Sequence, residues 1–466
     1  MANTKTLADY GKPTINGLDA AMVFAAEAMK NIYQGEIEKG GRGCTQKYSS
    51  DTTGAQIRVV RPLPLPIDAR ELGAAINGGN FSAFTHEPKS ASYGLDIITV
   101  IDDVVDIPDV SMDIIPVDVA KLYVQNISDK VVLNMNAIKI AARAYTCFSA
   151  EQVDEKSVNI VKLSDNDDIL TKAVETNGKL NKGDAKNGVS TFPVKDRIAL
   201  VSSDYYASLL TTKGIFTLGG ANYAYDMLRK GSVDAGSATP ELLDDGYIGT
   251  ILGIPFHFVS DLVMQVACEY LGFPSNTFDS VVLHVASAHG NLFGLATGNS
   301  INTIPCPIGQ GVRLLPKYRM GAACILPKSV AWLVKGDTFK SPYELKEIFK
   351  DGITWSYKAP GSRNKLNASV VAGSATGKFT VSVTNTKGDI TLPITDVRAA
   401  WVVGEAHSIE EFLSLYEAAA AVKGTLTSAQ IGVEQTLANV AKGNQVSVLV
   451  IDSDGTVADL VSAISA

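Results

Sequence analysis

The residues best suited by type and spacing to covalent chemistry are Asp452 and Asp454, within VLVIDSDGTV at Val448–Val457. An apolar strand running into Asp-x-Asp-Gly-Thr sets two carboxylates at a strand end, one able to attack a phosphoryl group and the other to move a proton. Phosphoryl transfer also draws on positive charge, such as a metal ion held by further carboxylates. Only a short expected helix separates the motif from Ala466, so Asp452 and Gly455 are expected to form a strand-to-helix turn instead.

The motif is similar to that of haloacid-dehalogenase-like phosphotransferases, which normally carry it at the start of their domain. Other candidates fail on spacing. Gly373–Thr380, GSATGKFT, has too few residues between its glycines for a phosphate loop, and Phe379 stands where a hydroxyl should meet magnesium. His284 and His289 are too far apart along a strand-to-loop transition to share a metal ion, and no G-x-S-x-G elbow presents a nucleophilic serine. Cys44, Cys147, Cys268, Cys306 and Cys324 contain no Cys-x-x-Cys pair and read as reduced, mostly buried thiols. Neither an enzyme nor a metal or cofactor site is expected.

The 466 residues are 46% hydrophobic and 19% charged, a globular balance with material for two or three cores. A formal charge of −8 gives no bulk positive field for nucleic acid, so sequence-specific DNA reading is disfavoured. No long uncharged apolar run occurs and Met1–Asp9 has no apolar core for a secretion signal, which predicts no membrane insertion and work inside a cell.

Gly17–Gln34 has the apolar stripe of a short amphipathic helix with Asp19 at its start, followed by a glycine-rich extended stretch to Asp51. Gln56–Pro66 reads as a strand confined to an edge or ribbon by Pro62, Pro64 and Pro66, with Leu95–Val110 as its return. Together they predict a long hairpin-like loop. Arg58, Arg61 and Arg70 lie on its outgoing side, Lys89 near its tip, and Asp102, Asp103, Asp106 and Asp109 on the return. Those eight residues are the candidate inter-subunit contacts. An isolated hairpin is marginal in water, so Ile97, Ile98, Val100, Val104 and Ile107 need either a neighbouring copy or the chain's own body.

Pro116–Phe148 carries the strongest helical pattern, with Val119, Leu122, Ile127, Val131, Met135, Ile138, Ala142, Tyr145 and Phe148 at threes and fours. It lacks the charged flanks of a coiled coil and is expected to lie along a sheet. Glu151–Val194 is polar and reads as a surface excursion or an insertion between domain parts. Strands follow at Arg197–Ser202, Gly246–Val259, Ser280–Ala286 and Ala322–Val334, with a helix at Ser203–Thr211. Beyond Lys335, strands at Thr354–Lys358, Lys378–Asn385, Ile390–Thr395, Ala399–Val403 and Val446–Ile451, with helices in Ile409–Lys423 and Ser428–Lys442, predict a small β unit joined to a terminal α/β unit.

This order of elements resembles the major capsid proteins of tailed bacteriophages, the HK97-like shell fold. Local segments add to it: Asp196–Leu210 (DRIALVSSDYYASLL), Asp245–Leu262 (DGYIGTILGIPFHFVSDL) and Tyr318–Val334 (YRMGAACILPKSVAWLV). The resemblance spans roughly Ala20–Lys335 and implies an α+β fold. Its parts would be an N-terminal arm at 1–55, an extended loop at 56–115, a spine helix and polar excursion of a peripheral domain at 116–195, and an axial domain with remaining peripheral strands at 196–335. An additional C-terminal α/β region at 336–466 would be either an exposed surface domain or a clamp between capsomers.

The resemblance further implies self-assembly into hexamers and pentamers of an icosahedral shell in the virion, built in the host bacterial cytoplasm around double-stranded DNA. Portal and scaffolding proteins would be partners, with decoration or auxiliary capsid proteins possible; no membrane is involved. Some relatives cross-link a loop lysine to a neighbour's Asn, a part open to Lys89, although no matching Asn or Glu is assignable. An encapsulin-like compartment enclosing cargo enzymes is the alternative shell, and a phosphotransferase using Asp452 and Asp454 the alternative enzyme.

Overall fold

The computed structural model describes residues 37–38, 41–49, 56–62, 90–96, 98–101, 105–108, 117–149, 158–206, 247–251, 253–296, 300–305, 311–336, 339–350, 352–419 and 422–466. The expected helix Gly17–Gln34 lies outside these residues. The first elements are strands β1 (Thr45–Ser49), β2 (Gln56–Pro62), β3 (Ser90–Asp96), β4 (Ile98–Ile101) and β5 (Val105–Pro108), then helix α1 (Val117–Phe148). The body continues with β6 (Asn159–Leu163), α2 (Ile169–Lys179), β7 (Arg197–Ser202), β8 (Tyr247–Ile251), β9 (Ile254–Val259), α3 (Asp261–Leu271), β10 (Val281–Ser287), β11 (Asn291–Ala296), β12 (Ser300–Pro305), β13 (Gly311–Cys324) and β14 (Val330–Lys335).

Two six-stranded sheets frame the body. One runs β6-β14-β10-β7-β9-β8, and its strands alternate between two cores. Ile198 and Leu200 of β7 face the core that holds α1, while Ala199 and Val201 face the core under α2. The other sheet runs β1-β11-β13-β12, with β4 and β5 also pairing to the fourteen-residue β13.

The helix α1 spans 32 residues, about 48 Å at 1.5 Å per residue, matching the periodic pattern. It lies along a sheet, as expected, packing on β13, and α3 packs against it as well, so that every residue from Met135 to Ala144 is buried. Ala137, Ala141, Ala142 and Ala144 make that possible, because their small side chains let neighbouring elements approach on all sides.

The surface-excursion reading is corrected for the described residues of Glu151–Val194. Residues 158–194 supply β6, an edge strand parallel to β14, and α2, capped by Asp168 and buried through Ile169, Leu170 and Ala173. Ala322–Val334 is two strands, the end of β13 and β14, separated by a single 3-10 turn at Pro327–Ser329.

The C-terminal part contains α4 (Leu345–Phe349), β15 (Lys365–Ala372), β16 (Lys378–Lys387), β17 (Ile390–Leu392), β18 (Val397–Val403), α5 (Ile409–Ala418), β19 (Lys423–Leu426), β20 (Glu434–Thr436), β21 (Gln445–Asp452) and β22 (Val461–Ile464). It is mainly a β-sandwich, not an α/β unit: sheet β15-β16-β17, with β20 on β16, faces sheet β19-β18-β21-β22. Leu366, Phe379 and Val381 meet Val397, Trp401, Val448 and Val450 between the sheets. The expected helix over Ser428–Lys442 is a 3-10 turn and β20, and the expected helix after Asp452 is β22. Thr354–Lys358 is irregular.

Nor is this part an appendage. Ala400, Val402, Leu449 and Ile451 on the outer face of β18 and β21 share one core with Phe412, Phe148 and Trp332. Around the C-terminal end of α1, Tyr145 meets Tyr343 edge-on at 6.1 Å and Tyr357 at 5.7 Å, and its hydroxyl donates to Trp355 O at 3.1 Å.

Candidate functional site

The segment expected to be a projecting loop resolves, in its described residues, into two unlike halves. β2 and β3 form an antiparallel ribbon that, among the described residues, pairs with no further strand. Its register sets Ile57 opposite Leu95 and Val59 opposite Tyr93, positions that share one face of the ladder. Arg58, opposite Gly94, belongs to the other face, and Arg61, opposite Ala91, to the first.

The acidic return segment behaves differently, because β4 and β5 both pair antiparallel with β13 of the same chain. Ile98 stands opposite Met320, Ile107 opposite Val312, and Asp106 opposite Arg313. Of the two surfaces open to this stretch, the body of its own chain therefore takes the part in β4 and β5. Arg70, Lys89, Asp102, Asp103 and Asp109 lie outside the described residues, as do Ile97 and Val104.

The described residues of the expected N-terminal arm are anchored more firmly than its composition predicts. Residues 41–49 close on β11 through the parallel strand β1, and Gln46 Nε2 donates to Glu38 O at 2.7 Å. Glu38 is 2% exposed and meets Arg143 of α1, itself 1% exposed, through Nη1 at 2.6 Å and Nη2 at 2.7 Å. This two-pronged geometry is the strong form of a carboxylate–guanidinium pair. Nη2 also donates to Gly43 O at 3.2 Å, while Nη1 lies 3.4 Å from His284 Nε2. Arginine can only donate, so that ring nitrogen accepts and His284 is neutral.

Burial and the Arg143 charge together push the His284 pKa down to about 3, and the ring stacks on Trp332 at 4.6 Å. For Glu38, burial works upward but the Arg143 and Lys139 charges outweigh it and hold the carboxyl at about 2. Lys139 sits over the Phe293 ring at 4.5 Å. The histidine thus does structural work, and His289 rests near Phe192 at 6.2 Å. Nothing local in the sequence marks Glu38, whose partner lies 105 residues away.

The phosphoryl-transfer candidate is a turn. Asp452 Oδ1 accepts from the Asp454 N–H at 2.9 Å and the Thr456 N–H at 2.8 Å, and Asn364 Nδ2 reaches Oδ2 at 3.3 Å. Gly455 has φ +77°, and the chain turns into a bridge between Val457 and Ile451. Asp454 instead pairs with Lys358 at 3.1 Å. A carboxylate committed to fixing the backbone in this way is not free to attack a phosphoryl group. Gly373–Thr380 is likewise a hairpin turn between β15 and β16, with no helix behind it.

Among the described residues no cluster of His, Cys, Asp and Glu is placed to hold a metal ion. No helix among them is long and apolar enough to cross a membrane. Cys44, Cys147, Cys268 and Cys324 are all buried free thiols, and Cys306 lies outside the described residues.

No protein-family model matches the chain, and no curated protein matches it. Solved structures that are similar to it include the mature capsid of bacteriophage PhiM1, at 12% identity over 64% of this chain and 88% of that one, with a TM-score of 0.43. The capsid of Ralstonia phage GP4 aligns at 10% identity over 64% of this chain and 89% of that one, TM-score 0.43. A virus-like particle from Pyrococcus furiosus aligns at 11% identity over 68% of this chain and 99% of that one, TM-score 0.37.

Proposed function

We propose that this chain is the shell subunit of a tailed bacteriophage, a major capsid protein of the HK97-like kind that assembles into hexamers and pentamers around double-stranded DNA. The observation that carries this reading is the β2–β3 ribbon, which pairs with no other described strand yet has a register that gathers Ile57, Val59, Tyr93 and Leu95 on one face. A two-stranded ribbon is marginal alone, and laying that face on an adjacent copy would bury it at about 25 cal/mol per Å2, less the cost of association. Many such contacts around a closed shell add through multivalency.

The anchored arm and the enclosed helix suit a subunit that must keep its shape while its edges engage neighbours. A net charge of −8 suits a container from which packaged DNA must be released, because a strongly basic lining would hold it. Portal, scaffolding and decoration proteins would then be its partners, in the virion and in the host cytoplasm where shells form.

Negative-stain imaging and size-exclusion chromatography of the purified protein test the proposal. Capsomers or closed shells are expected, and nuclease-protected DNA inside particles isolated from infected cells separates a phage capsid from a compartment that encloses protein. A protein that remains monomeric at every concentration and ionic strength, with and without scaffolding protein, overturns it.

A further inference from the structure

Two of the buried thiols belong together. Cys147 lies in the last turn of α1 and is fully buried; Cys324 ends β13 and is 7% exposed. The two elements are already joined beside them, since Thr146 Oγ1 donates to Cys324 O at 3.0 Å. Both thiols point into the same turn, Cys147 Sγ lying 3.6 Å from Pro327 O and Cys324 Sγ 3.5 Å from Leu326 O. Each side chain also acts on the ionisation of the other. Cys268, equally buried, lies elsewhere, on α3.

We propose that Cys147 and Cys324 form a redox-responsive pair, oxidised by hydrogen peroxide to a disulfide that staples α1 to β13. Cys324 is the first to react: the neighbouring Cys147 side chain, against the opposing effect of burial, favours its thiolate, and Arg143 one turn back on α1 adds to this. The Cys324 thiolate attacks one peroxide oxygen, the O–O bond breaks, and hydroxide leaves with a sulfenic acid on Cys324. Cys147 sulfur then attacks the Cys324 sulfur; the S–O bond breaks, the S–S bond forms, and the hydroxyl departs as water with the Cys147 proton. The sum is two thiols and one peroxide giving one disulfide and two waters. Burial limits the reaction to a small oxidant, and the link would close the chain between the helix end and the strand end, restricting the unfolded state.

The intact protein, incubated with hydrogen peroxide and then digested without reduction, tests this. The expected result is paired loss of two of the five thiols, a Cys147–Cys324 linked peptide, and a rise in Tm that dithiothreitol reverses. Cys147→Ser and Cys324→Ser abolish the link, whereas Cys268→Ser leaves it. Should either Ser variant fail to fold, trapping with dimedone in the unsubstituted protein decides: the sulfenic acid is expected on Cys324 before the link appears. Retention of all five thiols in folded protein, links between other cysteines, or a trapped adduct on Cys147 alone overturns the proposal.

Discussion

Gly272 lies directly beneath Arg363. It ends α3 at φ +77°, and a Cβ built on it would stand 2.7 Å from Arg363 Nη1 and 3.2 Å from Thr456 Cα. The guanidinium needs that space because it donates to Tyr270 O from Nε at 3.1 Å and Nη2 at 2.9 Å, and to Asp454 O at 3.4 Å and Ser356 O. Val457 N–H donates to Gly272 O at 2.7 Å, so body and sandwich meet at this glycine. Gly272→Ala is expected to cost about 1–3 kcal/mol in urea unfolding. Gly361→Ala, where nothing lies within 4 Å, should stay within about 0.5 kcal/mol of the parent.

Glu38→Ala should be far more damaging than a typical surface change, because it leaves the Arg143 guanidinium buried without its carboxylate. The expected loss is about 3–5 kcal/mol by chemical denaturation. Glu38→Leu with Arg143→Met, which removes both charges, should recover much of that loss; a double variant as unstable as the single one would argue that packing, not charge, anchors the arm.

Acid should weaken the protein in two overlapping steps. His284 has its folded pKa lowered to about 3 from an ordinary value near 6.5, so the unfolded chain binds the proton first and stability falls as pH drops below about 6.5. Glu38, held at about 2, adds stability above the usual carboxylate range that is lost as pH falls through that range toward 2. The pH dependence of unfolding free energy should therefore approach a slope of about 1.4 kcal/mol per pH unit from His284 alone. His284→Gln should flatten the upper part of the curve and leave the lower part.

Which of these features the sequence reveals depends on how far apart the cause and the effect lie. The helix α1 is legible because Val131, Met135, Ile138 and Ala142 repeat within one turn of each other, and β7 because its apolar run is continuous. By contrast, β13 carries Arg313, Lys317 and Arg319 among its apolar residues and contains Pro316, so no simple alternation marks it. Ile431, Val433, Leu437 and Val440 mimic a helical stripe, but Gly432 and Asn439 adopt φ +82° and +61° and turn the chain instead. Glu38 and Arg143 are ordinary surface residue types until the fold brings them together. The ribbon is legible as two strands, while the pairing of β4 and β5 depends on β13, some two hundred residues away.

The Asp106 and Arg313 register makes a separable forecast. Asp106→Lys sets two cations opposite each other and should lower the stability of the subunit itself by about 0.2–1 kcal/mol, with Arg313→Asp in the same chain restoring it. If thermal unfolding shows neither the loss nor the recovery, the charges do not interact across the ladder.

Phe412→Ala should destabilise the whole chain by about 3–5 kcal/mol in a single transition, because its ring shares the core of α1 and Trp332. Ending the chain before residue 336 should leave that core open and give insoluble protein, detectable as loss of the folded species in size-exclusion chromatography.

The parallel placement of β1 against β11 gives the segment Thr45–Ser49 a mechanical character. A tug along the strand axis loads the rungs from Thr45 opposite Leu292 to Ser49 opposite Ala296 together, in shear, whereas a sideways pull would peel them one after another. The pair between Glu38 and Arg143 sits upstream of those rungs, so tension entering from the N-terminal side meets a buried ionic anchor before it reaches the sheet.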